Sequence, residues 1–79
     1  MNRQDKLFQK FLNSPTSLNF AEIEKILLKL SFKKIQGKGS HIRFQIKEFQ
    51  IELVFPVHNN DVKDVYKKST KKVIEKYFL

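Results

Sequence analysis

Within Ser40–Lys47 polar and apolar side chains alternate without a break from His41 on, and from Gln50 to Phe55 they alternate again, blurred only at Val54. A period of two places one side of a strand in a core and the other outside it, so both stretches are expected to be half-buried strands. With Glu48 and Phe49 as a two-residue turn, Ile46 stands opposite Ile51, Phe44 opposite Leu53 and Ile42 opposite Phe55. All three apolar pairs then share one face, and a slip of one residue would turn one strand's set outward. The turn lacks the Asn-Gly or Gly chemistry of tight hairpins, so the spacing leaves its length open.

On either side of this hairpin the period is helical. Asn19 with Glu22 three residues on makes a capping box, and Leu18 and Ile23 occupy the staple positions around it. Phe20, Ile23, Ile26, Leu27 and Leu30 then form the core-facing stripe of a helix over 20–30. Lys33–Gln36 reads as a short strand that ends at Gly37-Lys38-Gly39, and Val57–Asp61 reads as a loop after Pro56. A last helix is expected to bury Val62, Val65, Tyr66, Thr70, Val73 and Tyr77, with Lys63, Lys67, Lys68, Lys71, Lys72 and Lys76 around the rest. Ahead of all this, Leu7, Phe8, Phe11 and Leu12 keep helical spacing until Pro15, a helix breaker. The expectation is an α+β fold of order αβββα. Two helices cover one face of a three-stranded antiparallel sheet, and a short accessory helix precedes them, packed on the domain or on a partner. Residues 1–17 form the accessory helix and linker and residues 18–79 the domain. This element order is that of double-stranded-RNA-binding folds.

Composition narrows the function. The 79 residues suffice for one domain, and no apolar run approaches the ~18 residues of a membrane span. The N-terminal residues lead into no uninterrupted apolar stretch, so a signal peptide is not expected and the chain reads as cytoplasmic. With no cysteine, two histidines and scattered carboxylates there is no metal-ligand spacing and no thiol chemistry, so neither metal nor cofactor is expected. The net charge is +8, and five of those charges (Lys33, Lys34, Lys38, Arg43 and Lys47) lie within residues 33–47, which hold no acid. Such an excess favours an anionic partner, nucleic acid above all.

The parity of the hairpin sends His41, Arg43, Gln45 and Lys47 to the face that the helices leave open. Imidazole exchanges protons near neutral pH, and His41 follows directly on the basic Gly37–Ser40 loop. Parity carried past Pro56 puts His58 on the same side. Two imidazoles there can serve as the acid and base of metal-free RNA cleavage. The bland alternatives are a surface histidine at 41 and a loop-packing histidine at 58. Gly37-Lys38-Gly39-Ser40 is not a nucleotide-binding loop, because it lacks the Walker spacing and leads into a strand.

Leu30-Ser31-Phe32, Gly39-Ser40-His41 and Val54-Phe55-Pro56-Val57-His58-Asn59, in this order over residues 18–77, resemble the HicA-type toxins of bacterial toxin–antitoxin systems. Those have an amphipathic helix ending in Leu-Gly-Phe, a Gly-Ser-His strand start, a strand closing in Pro-Val-His and a lysine-rich last helix. The resemblance implies an mRNA-cleaving endoribonuclease with a double-stranded-RNA-binding-like fold, neutralised by a HicB-type antitoxin. The family's catalytic histidine falls on His41. His58 would be its helper, and Lys38, Ser40, Arg43 and Lys47 would hold RNA. Three features depart from the pattern. Ser31 replaces the usual Gly, Lys67 and Lys71 stand where apolar residues are common, and residues 1–17 exceed the minimal domain. A non-catalytic RNA-binding module on the same basic face, and a pure protein-interaction domain, are the competing readings.

Overall fold

The structure, a computed structural model, describes residues 5–79. Helix α1 (Lys6–Asn13) leads through a 3-10 turn (Pro15–Ser17) to α2 (Phe20–Lys29). Strands β1 (Lys33–Gln36), β2 (His41–Ile46) and β3 (Ile51–Pro56) follow, and α3 (Asp64–Phe78) closes the chain. The sheet is antiparallel with order β1-β2-β3. The protein is thus α+β, with three helices and one three-stranded sheet. The first residues of the expected N-terminal helix, 1–4, lie outside the described residues.

The hairpin register is the one the alternation dictates, with Ile42 opposite Phe55, Phe44 opposite Leu53 and Ile46 opposite Ile51. The connection is longer than two residues. Lys47–Gln50 form the turn, closed by the Gln50 N–H donating to the Lys47 carbonyl at 3.1 Å, with Gln50 in the left-handed region (φ 54°). An even loop length preserves the parity of both strands, which is why the register survives the error in length.

α2 begins as its sequence dictates. The Glu22 N–H donates to the Asn19 side chain at 2.9 Å and the Asn19 N–H donates to the Glu22 carboxylate at 3.0 Å. It ends in a Schellman motif, with Phe32 N–H bonding the Leu27 carbonyl and Ser31 N–H the Leu28 carbonyl. This geometry drives Ser31 to φ 75°, a region that glycine enters without the clash of a Cβ. Ser31→Gly is therefore expected to stabilise the protein by about 1 kcal/mol, readable as a higher urea midpoint at unchanged slope.

The core lies on one side of the sheet, where the rings of Phe20, Phe44 and Phe55 meet pairwise at centroid separations of 5.4–6.2 Å. α1 packs on the domain, adding Phe8 and Phe11 to the same cluster, and the Asp5 side chain caps it by accepting from the Phe8 N–H. A second aromatic group, in which Phe49 contacts Tyr77 and Phe78 and Phe78 contacts Phe32, ties the β2–β3 turn to the end of α3.

α3 departs from the expected face. Val62, Thr70 and half-buried Tyr66 do turn inward, but Val65 is 60% exposed and Tyr77 37% exposed. Lys67, Ile74 and the flank of Phe78 take their place. Lys67 is not part of a solvated row. It is 4% exposed, with Nζ 3.2 Å from Asp61 Oδ1 and 3.3 Å from Oδ2. The aliphatic stem of Lys67 fills apolar space while its ammonium reaches a carboxylate at the solvent edge.

That carboxylate titrates below its ordinary value near 3.8, because burial, which raises it, is outweighed by the Val62 N–H, the Lys67 ammonium and the Phe20 N–H. Asp5 is lowered too, by its hydrogen bond from Lys29 and then by the Phe8 N–H. Both groups are more acidic folded than unfolded. Their stabilisation is complete above the ordinary carboxylate value and is lost as pH falls through the lowered folded values. Asp61→Asn is expected to weaken the fold by about 1–3 kcal/mol at neutral pH, since a buried ammonium loses its partner. Urea unfolding followed from pH 6 to pH 2 should show a shallower acid decline for that variant than for wild type.

Candidate nucleic-acid interface

The helices leave the other face of the sheet uncovered, and the strand registers say which side chains stand on it. Three cross-strand rows result: His41 with Pro56, then Ile35, Arg43 and Val54, then Lys33, Gln45 and Glu52. Lys33 and Ile35 belong to this face although the sequence did not assign them there. The register of β1 depends on the Gly37–Ser40 turn, which carries no alternation to read. In the same register Lys34 stands opposite Phe44, on the helix side of the sheet, and pairs with Glu24 of α2 at 2.9 Å.

His41 opens β2 with an exposed side chain, and its ring takes part in no hydrogen bond or ion pair among the described residues. Its backbone is held on both sides. The His41 carbonyl accepts from the Gly37 N–H at 3.0 Å, and the His41 N–H donates to the Lys38 carbonyl at 3.3 Å. A Cβ built on Gly37 would meet the His41 carbonyl oxygen at 2.7 Å, backbone against side chain, so only glycine lets the turn close this tightly. Gly39 is needed for its left-handed φ of 62° rather than for space. Ser40 is half-buried and its carbonyl accepts from the Val57 N–H at 2.9 Å, which locks the loop to the end of β3. The result is a fixed backbone at His41 that presents an exposed imidazole next to the loop carrying Lys38.

The remaining expected site residues separate into two groups. Lys38 is exposed in the loop beside His41, and no ion pair engages it among the described residues. Arg43, next on the same face, is paired with Glu52 at 3.4 Å, and Glu52 also accepts from Gln45 at 2.7 Å. Both charges of that pair are more than two-fifths exposed, so a phosphate can compete for the guanidinium at little cost. Lys47 stands at the far end of β2, about 20 Å from His41 at ~3.3 Å per residue, too far to act on the same phosphate. Lys47 begins the β2–β3 turn, outside the ladder that assigns the faces, and the length of the strand decides what it can reach.

His58 lies two residues beyond Pro56, the ladder partner of His41. It forms a tight turn with Asp61 through reciprocal backbone hydrogen bonds of 2.8 and 3.0 Å, with Asn59 and Asn60 both at positive φ. The ring is exposed at the rim of a groove of about 360 Å³ lined by Pro56, His58, Asp61, Val62, Lys63 and Tyr66. Local sequence patterns do not signal this groove, since its walls come from the end of β3, the Asn-Asn turn and the first turn of α3.

Among the described residues no three His, Asp or Glu side chains come together in a way that would hold a metal ion. No helix among them is long and apolar enough to cross a membrane. No protein-family model, curated protein or solved structure matches the chain.

Proposed function

We propose that the protein is a metal-independent endoribonuclease of the HicA toxin type, with a double-stranded-RNA-binding-like fold, acting on mRNA in the cytoplasm and neutralised by a HicB-type antitoxin. The observation that carries this reading is the exposed, unpartnered His41 at the mouth of a strand, its backbone held by the close Gly37 turn, with Lys38 three residues before it in the same loop. Around it the open sheet face presents Lys33 and Arg43, cations with access to solvent.

Metal-free RNA cleavage needs two proton transfers. A base takes the proton of the ribose 2′-hydroxyl, the 2′-oxygen attacks phosphorus, the bond from phosphorus to O5′ breaks, and an acid protonates the departing O5′. The products are a 2′,3′-cyclic phosphate and a 5′-hydroxyl. His41 performs one transfer and His58 the other. Lys38 stabilises the extra negative charge on the phosphoryl oxygens as it develops. Lys33, Arg43 and Lys47 hold the flanking backbone, with Glu52 releasing Arg43 to phosphate.

The test is incubation with RNA at several salt concentrations. With four phosphate contacts on single-stranded RNA, log affinity should fall with log salt at a slope of roughly −3, and the bound RNA should be cut. Stable binding with RNA left intact would select the non-catalytic RNA-binding module, which uses the same face. Absence of RNA binding at low salt would reject both readings.

A further inference from the structure

We infer that the groove beside His58 is a nucleobase subsite, which seats one base of the RNA whose neighbouring phosphate is handled at His41. This inference rests on the ribonuclease reading. Its first support is position. Pro56 is at once a wall of the groove and the cross-strand partner of His41, so the groove and His41 flank a single residue of β3. Its second support is size, about 360 Å³, within the range of roughly 300–1,000 Å³ typical of small-molecule sites.

Chemistry supplies the third. Val62, Pro56 and the half-buried ring of Tyr66 form apolar walls, and an aromatic ring beside a cationic backbone track is how single-stranded bases are held. At the rim the exposed Lys63 ammonium is a hydrogen-bond donor for the base edge, which leaves the His58 imidazole to its proton transfer. Asp61 does not compete for that role, because its carboxylate is already committed to Lys67 and the Val62 N–H.

The intact protein, labelled with ¹⁵N, should be titrated with uridine 5′-monophosphate and separately with ribose 5-phosphate. The nucleotide is expected to shift the amides of Val62, Lys63 and Tyr66, and the sugar phosphate to shift only those around Gly37–His41. Equal shifts with both ligands, or none at Val62–Tyr66, would overturn the inference. In parallel, Tyr66→Leu keeps apolar bulk but removes the ring, and should weaken RNA binding about 5- to 100-fold with an unchanged far-ultraviolet circular dichroism spectrum. Wild type that binds and cuts RNA while Tyr66→Leu binds as tightly would remove the subsite and leave the ribonuclease reading standing. Wild type that neither binds nor cuts RNA would remove both.

Discussion

Replacing His41 with alanine should lower RNA cleavage by a factor of about 10²–10⁴, the usual share of a positioned acid or base, while leaving thermal stability unchanged. The two halves of that expectation have separate origins. The cleavage loss follows from the proposed proton transfer. The unchanged stability follows from the site, because the ring is exposed and partnerless and the backbone there is held by Gly37, Lys38 and Pro56 rather than by the imidazole. In cells the same variant should no longer arrest growth on expression. Cleavage assays beside thermal melts separate this from a folding defect. A variant that melts like wild type and still cuts RNA at the wild-type rate would remove His41 from the mechanism. His58→Ala should slow cleavage as well, since the other proton transfer then falls to solvent.

The second large effect is on stability and lies in α1. Phe11→Ala is expected to cost about 3–5 kcal/mol, the range for truncating a fully buried phenylalanine. Phe11 is 0% exposed in the cluster that also holds Phe20, Phe44 and Phe55, so the cavity would open in the shared core. At ~0.05–0.15 kcal/mol per residue, a chain of this size has roughly 4–12 kcal/mol in total. The variant should therefore melt far below wild type, or not fold at all at the lower end. Urea unfolding in a single transition, with a lowered midpoint and unchanged slope, is the expected record. A loss under 1 kcal/mol would mean that α1 sits on the domain without contributing to its core.

The parts of the fold that could be read from the sequence are those whose signals are local and redundant. The hairpin register rested on three apolar pairs that agree, and the N-terminus of α2 on two reciprocal hydrogen bonds between residues three apart. Neither needs knowledge of the rest of the chain. α3 is the opposite case. Its apolar residues are sparse among lysines, so two faces rotated from each other bury similar apolar area, and the choice between them is made by distant partners. Asp61, placed by the Asn59-Asn60 turn, gives the Lys67 ammonium somewhere to go, and Phe32 and Phe49 draw Phe78 inward.

The candidate site divides along the same line. Parity alone put His41 and Arg43 on the open face. The pairing of Arg43 with Glu52 needed the register and side-chain reach, the place of Lys33 and Ile35 needed the β1 turn, and the separation of Lys47 from His41 needed the strand length. The groove beside His58 is assembled from three elements, and no single segment carries its signature.

The most direct test of the central claim is the chemistry of the cut ends. Wild-type protein incubated with RNA in the presence of a strong chelator of divalent metals should yield fragments ending in 2′,3′-cyclic phosphate and beginning with 5′-hydroxyl. Fragments with 3′-hydroxyl and 5′-phosphate ends, or RNA that stays intact until a divalent metal is restored, would contradict it.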